Sequence, residues 1–168
     1  MATIRYWILG LLLVLSMKGE AQQFRIVQQN DSLNWLVLTT DSTEDKWKLP
    51  YPVYQLQTGD VDGNGSSEAI VGVIKKTRYY PKGKRIFIFK NVNGKVRPMW
   101  MGSKLGGILQ DFRFTNTAEG PGVRALETTT DGYYVVSEYR WETFGMTFVR
   151  FLAKKVSKEK ALEVFNSK

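Results

Sequence analysis

The sequence predicts an all-β protein of mostly antiparallel strands with one short helix at the C-terminal end. Three observations carry this. Asn93-Gly94 and Asp131-Gly132 each stand between runs rich in β-branched and aromatic residues, the strongest short-range hairpin signal. Residues 69–74 form a continuous apolar run with strand length and strand residue types. Helical spacing is confined to residues 157–168, where Ala161, Leu162 and Phe165 fall on one face.

In chain order, residues 1–21 read as a secretory signal peptide: Arg5, an apolar run over 6–17, then the small residues Gly19 and Ala21. The run of twelve residues is too short to cross a bilayer, and an uncleaved anchor is the other reading. Removal leaves residues 22–168, 147 residues that suit one β domain, secreted or periplasmic, with no transmembrane segment. Cysteine is absent, so stability is expected from packing and, if the loop described below holds an ion, from metal.

Residues 24–27 and 34–39 read as strands across a turn at 30–32, and 41–45 as a polar surface loop. Pro50 and Pro52 hold 47–52 extended, leading to a short strand at 53–57. Residues 69–74 are the central strand, 75–85 a basic connection, and 86–90 and 95–100 a hairpin. A two-residue turn there would put Phe87, Phe89 and Trp100 on one face and Ile86, Ile88 and Met99 on the other, both apolar. Residues 101–107 are small and flexible, and 109–115 a further strand before a loop at 117–122. Strands at 123–129 and 133–141 flank Asp131-Gly132, and a turn at 142–145 returns the chain through 146–153. There Phe148, Arg150 and Leu152 alternate with Thr147, Val149 and Phe151.

The densest chemistry lies between the strands at 53–57 and 69–74. Asp60, Asp62 and Asn64 stand at the first, third and fifth positions of a loop, the Ser66 carbonyl at the seventh and Glu68 at the ninth. Such spaced oxygens suit calcium, which takes about six to eight of them. Gly63 and Gly65 permit the tight curl. The helix-loop-helix calcium site is excluded, because Val71 occupies its twelfth position, where a bidentate Glu is needed. Simple turn hydrogen bonds are the competing reading of the same residues.

Residues 60–68, followed by Ala69-Ile70-Val71, resemble the FG-GAP/VCBS repeat family, whose loops run Asp-x-Asp-Gly-Asp/Asn-Gly-x-x-Asp/Glu into an apolar strand. The resemblance covers about fifteen residues. It implies propeller-blade-like units and a structural calcium held by Asp60, Asp62, Asn64, Ser66 and Glu68. One clear copy is present, so an incomplete propeller or sandwich-like stack is expected, or a ring closed by self-association. The segments 54–100 and 109–152 share an outline; 115–122 would then occupy the place of the metal loop without its ligands.

Between Glu68 and Asp111 no acidic residue occurs, while ten of the 24 Lys and Arg do. Lys75, Lys76, Arg78, Tyr79, Tyr80, Lys82, Lys84 and Arg85 are the candidate partner surface. For a secreted protein this charge favours an anionic polysaccharide, an envelope surface or an acidic protein over nucleic acid. Histidine is absent too, which excludes His-dependent triads and His/Cys zinc sites. The expected function is a non-enzymatic calcium-binding module contacting a glycan, envelope surface or protein. The alternatives are a structural assembly subunit and a carbohydrate-active hydrolase using Glu127 and Glu138, with Arg140 beside them. In that last reading a two-residue Asp131-Gly132 turn sets the two acids diagonally on one face; an exposed, charge-paired face is the simpler account.

Overall fold

A computed structural model describes residues 22–102 and 104–167; the leader read in residues 1–21 lies outside them. Among the described residues eleven strands form three sheets, each an antiparallel meander in which every strand pairs with its chain neighbour. The first sheet holds β1 (Gln23–Asn30), β2 (Leu33–Thr39) and β3 (Glu44–Leu49). The second holds β4 (Val53–Gly59), β5 (Glu68–Lys75), β6 (Gly83–Val92) and β7 (Lys95–Met101). The third holds β8 (Ile108–Thr117), β9 (Gly120–Thr128), β10 (Tyr134–Glu142) and β11 (Gly145–Val156), followed by α1 (Lys158–Asn166). No sheet closes into a barrel. The all-β, mostly antiparallel expectation holds, with the short C-terminal helix, and the three sheets form an open stack.

The second sheet is the middle layer. On one side Ala69, Val71, Val73, Phe87 and Phe89 pack with Phe24, Leu36, Leu38 and Leu49 of the first sheet. On the other, Ile70, Ile86 and Ile88 meet Leu109, Phe112, Val123 and Ala125 of the third. Because successive side chains of a strand point to opposite faces, a strand covered on both must be apolar at every position. Residues 69–73 of β5 are accordingly all buried.

Residues 44–49, expected as the end of a loop and an extended approach, form strand β3. Their burial alternates, with Asp45, Trp47 and Leu49 inward and Glu44, Lys46 and Lys48 exposed. The Asn93-Gly94 turn is the two-residue kind, Val92 pairing with Lys95 and both turn residues at positive φ (53° and 75°). A bulge at Met99 then pairs Trp100 with Ile88, so Trp100 packs with Ile86 and Ile88, not with Phe87 and Phe89 as alternation implied. Three bulges likewise break the expected alternation in β11. Phe148 pairs with Tyr139, Phe151 with Ser137 and Lys154 with Val135, which places all three on one face.

The outer face of the third sheet is covered by α1, whose Ala161 and Phe165 pack on Leu126 and Val136. Ser157 caps its first turn by accepting from the Lys160 N–H. At the other end the buried Arg124 Nη1 reaches up from β9 to the carbonyls of Ser167 (2.7 Å) and Val164 (3.1 Å). A cation is thereby placed where helix carbonyls lack partners. No described helix is long and apolar enough to cross a membrane.

Gly72 shows how tightly the layers meet: a Cβ there would lie 2.5 Å from the Tyr54 ring, which leans across β5. Gly72→Ala is expected to destabilise by about 1–3 kcal/mol through overpacking. Urea unfolding with an unchanged m-value checks this.

Candidate functional site

The loop joining β4 to β5 is pinned at both ends before any ion is considered. Val61 is buried in the core between the second and third sheets. Its N–H donates to Glu68 Oε2 at 2.7 Å, closing the loop across its base. Within the loop Asp60 Oδ1 accepts from the Asn64 N–H (2.9 Å) and Oδ2 from the Gly65 N–H (2.8 Å). Asp62 Oδ1 also takes the Asn64 N–H (3.2 Å), and Asn64 Oδ1 takes the Ser66 N–H (2.7 Å). Gly63 and Gly65 supply the positive φ values, 75° and 89°, that this winding needs. Outside the loop, Gln22 donates to the Ser67 carbonyl (2.7 Å) and accepts from Asn91 (3.0 Å), tying the rim to β6.

This winding brings oxygens of Asp60, Asp62 and Glu68 within 4.8 Å of one another. These three of the five expected ligand residues converge as carboxylates. Asn64 and Ser66 sit on the exposed rim between them. Glu68 is 1% exposed. Burial first, and then the Asp62 and Asp60 charges, push its carboxyl up to about 7, against the opposing pull of the Val61 N–H. Burial and two neighbouring carboxylates thus disfavour the ionised form of Glu68, and a hard cation among the three would reverse that balance.

The basic segment divides into a structural and an exposed part. Arg85 is buried and donates to the carbonyls of Lys84 (2.7 Å) and Pro81 (2.9 Å), bracing the 76–82 loop from beneath. Lys84 donates to the Gln110 carbonyl (2.5 Å) with its ammonium over the Tyr54 ring, and Lys75 lies over Tyr51. Lys76, Arg78, Tyr79, Tyr80 and Lys82 remain exposed, Tyr79 at 75%.

Glu127 and Glu138 do not form a pair. The Asp131-Gly132 connection is a three-residue loop, closed by the Thr129 N–H to the Tyr133 carbonyl (2.9 Å) with Gly132 at φ 86°. That is one residue longer than expected, and a one-residue slip turns a strand over. Glu127 now pairs with Val135 and Glu138 with Arg124, so the two acids lie on opposite faces and cannot flank one bond. Neither is exposed (1% and 7%). Glu127 accepts from the Gly107 N–H (2.7 Å) and the Tyr139 hydroxyl (3.0 Å). Glu138 binds Arg150 (2.8 Å) and faces Arg124 (3.7 Å), while Arg140 binds Glu119 (3.0 Å). A charge-paired face is present, but its acid is sheltered.

No family model matches the chain, and neither a curated protein nor a solved structure matches it.

The raised Glu68 value fixes the direction of a pH effect. Between the ordinary carboxyl value of 4.5 and about 7 the folded state holds this proton more tightly than the unfolded one. In chelator, stability is full below about pH 4.5 and falls as pH rises through 7, by up to about 3 kcal/mol. Denaturant titration across that window checks the slope, which Glu68→Gln is expected to flatten.

Proposed function

We propose that the protein is a non-enzymatic, secreted or periplasmic binding module whose 60–68 loop is set by a structural calcium ion. One observation carries this reading: Asp60, Asp62 and Glu68 converge within 4.8 Å on a loop already wound by its own N–H groups. Each carboxylate oxygen has two acceptor sites, so the N–H bonds leave lone pairs for an ion. Asn64 Oδ1 and the Ser66 carbonyl would complete a shell of oxygens at roughly 2.3–2.6 Å. The resemblance of residues 60–68 to FG-GAP/VCBS loops supports the same reading. A site made wholly of such ligands holds structure and leaves little room for substrate, so the ion's role is to fix the entry to β5. The exposed Lys76, Arg78, Tyr79, Tyr80 and Lys82 would then contact an anionic polysaccharide, envelope surface or acidic protein.

Thermal unfolding in chelator, then with added calcium and with magnesium as control, tests the ion. Calcium at a hundredfold over its dissociation constant is expected to add about 2.7 kcal/mol. Asp60→Ala with Asp62→Ala is expected to abolish the gain. A double variant that responds to calcium as the parent does would sink the reading.

A further inference from the structure

A second site lies on the third sheet, apart from the 60–68 loop. Residues 104–107 lie against the inward face of this sheet, Gly106 bonded to Tyr139 of β10 and Gly107 to Glu127 of β9. Between them is a cavity of about 480 Å3 walled by Leu105, Val135, Tyr139, Met146, Phe148 and Phe151, in the size range of small-molecule pockets. We infer that this cavity binds a small anionic amphiphile, an aryl or alkyl body bearing one acidic group.

The wall is built rather than incidental. Strict alternation would put Phe148 and Phe151 on opposite faces of β11. The bulge at Val149 brings them together, with ring centroids 4.7 Å apart, and the bulge at Leu152 sets Lys154 on the same face. Phe148 also meets Tyr139 edge-on at 5.9 Å. Both phenylalanines remain 45% and 47% exposed, so two of the strand's bulges serve to present apolar rings, with a lysine beside them, to solvent. An occupant with an apolar body covers them.

The polar groups of the floor decide against a sugar. Both Glu127 oxygens accept from the Tyr139 hydroxyl, and Oε1 also takes the Gly107 N–H; the Tyr139 oxygen in turn accepts from the Gly106 N–H at 3.0 Å. These groups satisfy one another. A ring of hydroxyls entering the cavity would give up water for few partners, which an apolar body does not need. The charges on the lining set the sign of the head group. Lys154 holds its ammonium 4.8 Å from the Phe151 centroid, on the wall itself, with no carboxylate partner among the described residues. Lys155 is shared with Asp131 at 3.6 Å, and Lys104 on the facing wall leans over Tyr80. Glu127 lies at the floor, almost fully buried and already bonded by Tyr139 and Gly107, so the apolar end enters first and the acid stays by Lys154.

The test uses the purified protein and the fluorescent probe 8-anilinonaphthalene-1-sulfonate. Saturable one-site binding is expected, displaced by dodecanoate and not by dodecyltrimethylammonium or dodecanol. Phe148→Ser with Phe151→Ser is expected to abolish it, and Lys154→Glu, at an exposed position that keeps the test independent of the double variant's folding, to weaken it about tenfold. Unchanged binding in either variant overturns the proposal. Displacement that ignores head-group charge does so too, as does a dimer that the double variant dissociates without any probe binding in the parent.

Discussion

Strand β5 has no solvent face, and a chain that must keep both sides of one strand dry has to supply two further layers. The rest of the molecule follows from that demand. The first sheet brings Phe24, Leu36, Leu38 and Leu49 to one side, and the third brings Leu109, Phe112, Val123 and Ala125 to the other. The third sheet then has an outer apolar face of its own, which the short helix covers. Layers of this kind are cheap in topology, because each sheet is a run of hairpins and no strand has to find a partner far along the chain.

The same strand explains why the acidic loop matters. Glu68 is the first residue of β5, paired with Gly59 across the ladder, and its carboxylate reaches back to the Val61 N–H. Gly59 itself has no room for a side chain, since a Cβ would sit 2.4 Å from the Phe114 ring. The loop is therefore clamped between the core and a buried acid. Whatever neutralises that acid acts directly on the strand that both cores share.

What could be read in advance was what depends on local chemistry. The apolar run of β5, the spaced oxygens before it, the Asn93-Gly94 turn and the helical tail are each written in a few adjacent residues. Strand β3 was legible as well, in the alternation of Asp45, Trp47 and Leu49 with charged neighbours, but the acidic start of that stretch drew it into the preceding loop. The Asp131-Gly132 loop was not decidable locally, because Asp-Gly suits a two-residue turn and the left-handed end of a three-residue loop alike. The choice belongs to the sheets, and it set Glu127 and Glu138 on opposite faces. Bulges leave no local mark either: plain alternation sets Phe148 and Phe151 on opposite faces of β11, so their joint wall with Lys154 was not legible.

Those bulges reach beyond the cavity. Strand β11 is the last of its sheet, with one side of its backbone unpaired, and long edges of that sort invite a strand from another molecule. An incoming strand needs donors and acceptors at a constant repeat. The three inserted residues interrupt that repeat within a twelve-residue strand. The irregularity that gathers the aromatic rings also makes the longest described strand a poor template for edge-to-edge growth.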